Sequence, residues 1–97
     1  KPTGQVLCLI KPQFEAGKEN VGKKGVVRDP AVHEQVLRDF VALATELGFT
    51  LKDLTFSPVK GPEGNIEFLG HLCMEPGDAL VPDIPALVAA AHETLKG

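Results

Sequence analysis

Basic side chains are concentrated in one short segment of an otherwise acidic chain. Residues 11–28 carry a net charge of about +3 and residues 29–97 about −7, within a total of −3. The basic residues of the segment are Lys11, Lys18, Lys23, Lys24 and Arg28. Clustered cations of this kind can contact the phosphates of RNA, with an affinity that falls steeply with salt. An ordinary solvated loop is the alternative, and Lys60, in a second turn, has the same two interpretations.

Two charged residues, Lys11 and Glu67, stand where strands are expected to end or begin. Lys11 follows the apolar run VLCLI and precedes Pro12, which cannot donate a ladder hydrogen bond. Glu67 lies in an alternating segment and shares a strand face with His71. Spacing alone favours structural roles, namely a lysine stem packed at a strand end and a solvated hairpin carboxylate. His71 is expected to be partly buried with its hydrogen bonds satisfied.

The remaining residues of chemical interest are expected to be structural. Cys8 and Cys73 lie in apolar runs without a Cys-x-x-Cys pair or a His/Cys cluster, which favours buried free thiols over a disulfide or a metal site. Phe14 could stack on an RNA base, although a core position just past a strand is favoured. His33 and His92 are expected on exposed helix surfaces.

The first half of the chain predicts a strand, a long loop and a helix. The continuous apolar run at 6–10 is typical of a strand that is covered on both faces and central in a sheet. Residues 13–28 lose periodicity and predict a long irregular loop, a kind that is usually functional or disordered. Asp29 and a following proline start a helix over about 30–47, which Gly48 ends. Its apolar face is expected to contain Val32, Val36, Phe40, Leu43, Ala44 and Leu47.

The second half predicts two strands joined by a turn, then a helix. Apolar positions change phase within 49–56, which indicates a bulge, and residues 57–65 form a turn rich in proline and glycine. The strand at 66–73 must run antiparallel to its predecessor because the connection is short. Asp83 caps the last helix. This order predicts an α/β fold with a mixed sheet that ends in an antiparallel hairpin and, alone, leaves apolar strand faces uncovered.

Two motifs resemble a known family. They are LIKPQFEAGKENVGKKGVVRD at 9–29 and SPVKGPEGNIEFL at 57–69, and they are similar to the C-terminal half of the methyltransferase domain of the TlyA (hemolysin A-like) family, within the wider FtsJ-like (RrmJ-like) group. The resemblance extends over roughly 5–72. It implies a Rossmann-like class I methyltransferase fold whose last strand is inserted antiparallel. Residues 1–97 are then expected to be the C-terminal portion of one such domain, without its cofactor-binding half or an N-terminal S4-like domain.

The resemblance also implies a reaction and a set of site residues. Members of this group transfer a methyl group from S-adenosylmethionine to a ribose 2'-hydroxyl of ribosomal RNA with a Lys-Asp-Lys-Glu tetrad. Its third and fourth members would be Lys11 and Glu67. The candidates for RNA contacts are Lys18, Lys23, Lys24, Arg28 and Lys60. No strand here is followed by a G-x-G-type loop, so the cofactor is expected to be bound mainly by the missing half, and this chain alone is expected to be inactive.

The expected partner is ribosomal RNA or a ribosomal subunit, with no metal and no membrane. A ribose hydroxyl is a poor nucleophile, so its proton must be accepted or its developing charge stabilised. A lysine acts as a base only if its pKa falls from about 10.4 to about 7, which requires more than about 4 kcal/mol against the charged form. A neighbouring carboxylate favours the ammonium instead, so Lys11 is assigned to hydroxyl activation in the broad sense and Glu67 to holding the lysine in position.

Two other functions remain open. A non-enzymatic RNA-binding module would use the same basic residues without methyl transfer, and cofactor binding separates it from the enzyme. The hemolysin name of some family members suggests a membrane-active protein, but neither helix opposes a basic face to a large apolar one. No apolar run approaches the roughly 20 residues that span a bilayer, and no secretory leader is seen. A cytoplasmic location is therefore expected.

Overall fold

The structure is a computed structural model that describes residues 4–15, 26–61, 64–75 and 77–95. Lys18, Lys23 and Lys24 lie outside the described residues. The elements, in chain order, are β1 (Gln5–Ile10), α1 (Pro12–Glu15), α2 (Pro30–Glu46), β2 (Thr50–Phe56), β3 (Phe68–Cys73) and α3 (Ile84–Leu95). The predicted α/β class is confirmed.

The three strands form one antiparallel sheet with β3 in the middle. The strand order is β1-β3-β2, and β3 runs antiparallel to both neighbours. Strands β1 and β2 are therefore parallel to each other, as a helical crossover through α2 requires. The short connection correctly predicts that β3 is antiparallel to β2. The antiparallel insertion of the last strand, which the resemblance implies, is confirmed.

Strand β1 lies at an edge of the described sheet, so the prediction that it is central is wrong for this part of the chain. Its side chains alternate between a face covered by helices and a face that no described residue covers. Ile10 is 1% exposed on the covered face, whereas Leu7 and Leu9 are 73% and 49% exposed on the other. The continuous apolar run correctly indicates that both faces are suited to burial, but it does not show which elements supply the cover.

The helices α2 and α3 pack against one face of the sheet and enclose the core. The buried members of the main core cluster are Ile10, Val36, Leu37, Leu54, Ile66, Phe68, Ile84, Val88 and Ala91. At the centre of the sheet, the ring of Phe40 lies over Gly70, where a Cβ would come within 2.6 Å of a ring carbon. A side chain at residue 70 would therefore separate α2 from the sheet.

Helix α2 begins and ends close to its predicted limits. The Asp29 carboxylate accepts a hydrogen bond from the backbone N–H of Ala31 at 2.9 Å, and Gly48 adopts the left-handed φ of +90° just after the last turn. The prediction that Leu43 and Leu47 lie on the core face is wrong, because both side chains are exposed. The buried stripe is rotated around the helix and includes His33 and Leu37 instead.

Two other local predictions are confirmed. The pairing of β2 with β3 shifts register between Leu51 and Asp53, which is the predicted bulge. Asp83 caps α3 by accepting a hydrogen bond from the N–H of Ala86 at 3.1 Å. The prediction of a long irregular loop over 13–28 is only partly correct. The segment opens within helix α1, and Val26 and Val27 at its far end are buried.

Candidate functional site

The sheet brings Lys11 and Glu67 to the same end of two paired strands. The last residue pair of the β1–β3 ladder is Ile10 with Phe68. Continuing the register by one position sets Lys11 opposite Glu67, although they are 56 positions apart in sequence. No ion pair joins their side chains in the described part of the chain. The two residues therefore lie at the same end of the sheet, with no salt bridge between their side chains.

Lys11 lies beside an exposed aromatic ring. The Lys11 carbonyl accepts a hydrogen bond from the N–H of Phe14 at 2.9 Å, which closes the turn of α1. The Lys11 ammonium lies 5.9 Å from the centroid of the Phe14 ring, within the range of a cation–π contact. Phe14 is 76% exposed, so the expectation of a core position is wrong. The helical turn directs this ring to solvent because Pro12 and Gln13 occupy the inner side.

Glu67 is buried, and the expectation of a solvated carboxylate is wrong. Glu67 is 6% exposed, and its Oε2 accepts a hydrogen bond of 2.9 Å from Nε2 of Gln13. Its backbone carbonyl accepts from the N–H of Ser57 at 2.8 Å. A buried carboxylate is costly unless it is hydrogen-bonded, so Gln13 belongs to the site. Sequence reasoning missed Gln13, and the only available signal was its place within the KPQFE motif.

The turn that precedes β3 packs directly on the Glu67 carboxylate. A Cβ at Gly61 would overlap the carboxylate oxygens of Glu67. The N–H of Gly61 donates to the carbonyl of Asn65 at 2.7 Å, and Gly64 has a left-handed φ of +85°. The two glycines let the turn fold back closely enough to confine the carboxylate.

A basic cleft lies on the helix side of the same turn. It has a volume of about 310 Å³ and is lined by Val26, Val27, Arg28, Lys60, Gly64, Ile66, His92 and Leu95. Arg28 and Lys60 are both exposed. The structure thus brings together the two predicted RNA-binding residues that it describes, from segments 32 positions apart.

The wall of the cleft that carries Arg28 is fixed by buried hydrogen bonds. Val27 donates its N–H to Oδ1 of Asn65 at 2.9 Å, and its carbonyl accepts from Nε2 of His33 at 3.0 Å. Asn65 and His33 are 1% and 0% exposed. Both backbone polar groups of Val27 are therefore satisfied, which holds the adjacent Arg28 next to the β2–β3 turn.

His33 and His92 form a hydrogen-bonded pair between α2 and α3, so the prediction that both are surface residues is wrong. The Nδ1 of His33 lies 2.8 Å from Nε2 of His92. Because the Val27 carbonyl can only accept, neutral His33 carries its proton on Nε2 and accepts the proton of His92 on Nδ1. Burial, with a smaller effect of His92, lowers the pKa of His33 to about 4. Burial and Lys60 also lower the pKa of His92.

The protein is expected to lose stability as the pH falls from about 6.5 to about 4. In this range the unfolded chain binds a proton at His33 and the folded chain does not. The stability contributed by neutral His33 is therefore fully present above pH 6.5 and is lost progressively as the pH falls to about 4. The loss is on the order of 3 kcal/mol. Urea unfolding at pH 7.5 and 4.5 measures it. A His33→Leu variant should show a smaller difference, and equal differences in both proteins would contradict the assignment.

The other candidate residues have structural surroundings. Cys8 and Cys73 are free thiols, half-buried and buried. His71 is half-buried and its Nε2 lies 2.7 Å from Oε1 of Gln5, which confirms a satisfied histidine. Across the described segments, no group of three or more His, Cys, Asp or Glu side chains could hold a metal. In the same residues, no helix is long and apolar enough to cross a membrane.

The chain is similar to several known proteins. Over 101 residues, the chain is 48% identical to YqxC of Bacillus subtilis, which is named as an rRNA methyltransferase. The alignment covers 98% of this chain and 36% of that protein. The chain is 41% identical over 91 residues to the 16S/23S rRNA (cytidine-2'-O)-methyltransferase TlyA of Mycobacterium tuberculosis, covering 94% and 33%. A solved structure from Streptococcus thermophilus, named as a hemolysin, matches with a TM-score of 0.86 and 48% identity, covering 96% and 34%.

The chain spans about a third of the length of these relatives. A model of the FtsJ-like methyltransferase family matches residues 2–73, which include β1, β2, β3, Lys11 and Glu67. The match covers most of the chain and includes both motifs, at 9–29 and 57–69. The chain therefore belongs to the FtsJ-like methyltransferase family.

Proposed function

We propose that this chain is the C-terminal portion of the methyltransferase domain of an S-adenosylmethionine-dependent ribosomal RNA 2'-O-methyltransferase. The observation that carries the proposal is the placement of Lys11 and Glu67 at one end of the β1–β3 ladder, in a chain that matches the family over residues 2–73. The two similar proteins named as rRNA methyltransferases support RNA as the substrate. We place the activity in the cytoplasm, with the ribosome.

Lys11 is the residue that acts on the substrate hydroxyl. Lys11 is half-exposed just beyond the end of β1, where its ammonium can donate hydrogen bonds to a ribose oxygen and stabilise negative charge that develops there. Glu67 lies opposite it in the continued β1–β3 register, buried and hydrogen-bonded to Gln13. We assign Lys11 to orienting the hydroxyl and stabilising its developing charge, and Glu67 to holding the lysine in position.

The described residues do not form a cofactor cradle. Their left-handed glycines are Gly48, just after helix α2, and Gly64, between β2 and β3, so neither lies between a strand and the helix that follows it. We therefore propose that parts of the protein outside this chain hold most of S-adenosylmethionine, which supplies an electrophilic methyl group when bound. The exposed apolar side chains Leu7 and Leu9 support the same view, because they offer an uncovered sheet face on which the rest of a domain could pack.

The basic cleft is the proposed contact for RNA phosphates. Arg28 and Lys60 present their cations at one opening, and Arg28 is fixed by the buried anchoring of Val27. Arginine matches phosphate geometry through its planar donors, and lysine adds a point charge. Lys18, Lys23 and Lys24 remain predicted RNA contacts. Exposed Phe14 offers a ring for stacking on an unpaired base.

Replacing both Arg28 and Lys60 by alanine is expected to weaken RNA binding about tenfold at moderate salt. The slope of log Kd against log salt should become shallower by about 1 to 2, because two phosphate contacts are lost. Binding of labelled ribosomal RNA across a salt series measures both effects. The matched control is Arg38→Ala with Lys52→Ala, since both are exposed and lie outside the cleft. An equal slope in the control and the test variant would exclude the cleft as the contact for RNA phosphates.

A non-enzymatic RNA-binding module is the alternative, and the lack of a cofactor cradle in the described residues is the observation that favours it. The two functions are separated by testing the longer protein to which we assign the chain. We expect it to bind S-adenosylmethionine and to transfer labelled methyl groups to ribosomal subunits, whereas the 97-residue chain alone does neither. RNA binding by the longer protein without cofactor binding or methyl transfer would establish the alternative.

A further inference from the structure

The hydrogen bond from Gln13 to Glu67 accounts for only one half of the Gln13 amide. Gln13 follows the buried Pro12 in α1, immediately beyond the end of β1. The turn of α1 sends Phe14 to solvent and leaves the Gln13 amide half-buried. The amide reaches across the fold to Glu67, 54 positions away. Gln13 therefore lies between the two strand ends that carry Lys11 and Glu67.

One half of the Gln13 amide is satisfied and the other half is not. Its Nε2 donates to Oε2 of Glu67 at 2.9 Å. Its Oε1 is buried and has no hydrogen-bond partner among the described residues. An unsatisfied buried acceptor costs about 1–3 kcal/mol, and most such atoms in native structures have a partner. The Gln13 carbonyl therefore requires a hydrogen-bond donor.

The nearest charged donor in sequence is Lys11. An ammonium has three donors and no acceptor, which complements a site that presents a carboxylate and an amide carbonyl. The Lys11 side chain lies beside α1, with its ammonium 5.9 Å from the Phe14 ring centroid. Its flexible four-carbon stem allows the ammonium to leave an exposed aromatic face at small cost. Gln13 is two residues further along the same turn, and its buried carbonyl is the unpaired acceptor.

We propose that Gln13 is a positioning residue that links Glu67 to Lys11, which deepens the proposed methyl transfer and rests on it. The N–H of its amide holds the Glu67 carboxylate, and its carbonyl accepts a hydrogen bond from the Lys11 ammonium. This relay explains how a buried carboxylate orients a lysine with which it makes no direct ion pair. It also gives the buried Oε1 of Gln13 its partner.

The test uses Gln13→Met, which keeps the length of the side chain and removes both hydrogen bonds. The matched control is Gln35→Met, because Gln35 donates a similar bond of 2.8 Å to Asp39 on the exposed surface of α2. In the longer protein, Gln13→Met is expected to lower kcat for methyl transfer at least about tenfold and to leave KM for RNA within about twofold. Gln35→Met should change neither. Equal kcat values for the two variants would overturn the proposal.

A second readout does not depend on activity. Selectively labelled Lys11 should give a slowly exchanging side-chain ammonium signal by NMR in the wild type and in Gln35→Met, and should lose it in Gln13→Met. If the wild type transfers no methyl group, the proposed function fails, and this signal alone decides whether the relay exists. A Lys11 signal that is unchanged in Gln13→Met would overturn the relay whether or not the protein is active.

Discussion

Replacing Lys11 by alanine is expected to reduce methyl transfer to ribosomal RNA at least about a hundredfold. Removing one group that stabilises charge developing in a transition state costs about 10²–10³ in rate. Lys11 is half-buried at the end of β1, and its loss removes the cation nearest to Glu67 along the β1–β3 register. Single-turnover transfer of labelled methyl groups by the longer protein measures the effect.

The control for this substitution is Lys52→Ala, an exposed lysine on β2 at the register shift. Both variants should keep wild-type circular dichroism and bind RNA within about threefold of wild type, because one phosphate contact changes affinity only modestly. A folded Lys11→Ala protein that retains more than a tenth of wild-type transfer would exclude Lys11 as the catalytic residue.

Replacing Glu67 by alanine is expected to give the second largest loss, up to about a hundredfold. The carboxylate orients the site, and a misplacement of about 1 Å can cost this much in rate. Gly61→Ala should produce a similar loss while keeping the carboxylate, because the added Cβ would overlap the Glu67 oxygens and force them to move. RNA binding should be little affected by either change, since Glu67 is buried.

The control for Glu67 is Glu46→Ala, an exposed carboxylate at the end of α2. Since Glu67→Ala also removes a buried group, thermal unfolding is measured alongside transfer for each variant. Gly61→Ala then separates the effect of moving the Glu67 carboxylate from the effect of removing it. If Gly61→Ala transfers methyl groups at the wild-type rate while Glu67→Ala does not fold, Glu67 is a structural residue.

The sequence predicts local structure well where one local signal dominates. The Asp29–Pro30 start of α2, its end at Gly48 and the bulge in β2 all rest on short-range backbone chemistry, and all three are confirmed. The antiparallel pairing of β3 with β2 follows from the length of one connection. These features need no knowledge of distant contacts.

Burial was harder to predict, because it depends on which elements pack together. His33 is predicted at the surface from its helix pattern, but α3 supplies a histidine partner and the loop supplies a carbonyl, so the ring is fully buried. Leu43 shows the opposite error, since no described element covers it. Both errors arise from tertiary contacts that a helix pattern does not contain.

The site shows the same division. The positions of Lys11 and Glu67 came from resemblance to the family, and register pairing of β1 with β3 supports their proximity. The burial of Glu67 and its bond to Gln13 could not be predicted, because they depend on the close turn at Gly61 and on helix α1. Neither feature leaves a periodic signal in the sequence.

The most direct test of the central claim is the identity of the methylated nucleoside. Ribosomal subunits are incubated with the longer protein and labelled S-adenosylmethionine, the RNA is digested to nucleosides, and the products are separated by mass spectrometry. The label is expected on the ribose of a 2'-O-methylated nucleoside, and it should be absent when Lys11→Ala replaces the wild type. A label on a base, or no labelled nucleoside from a folded protein that binds both cofactor and RNA, would contradict the assignment.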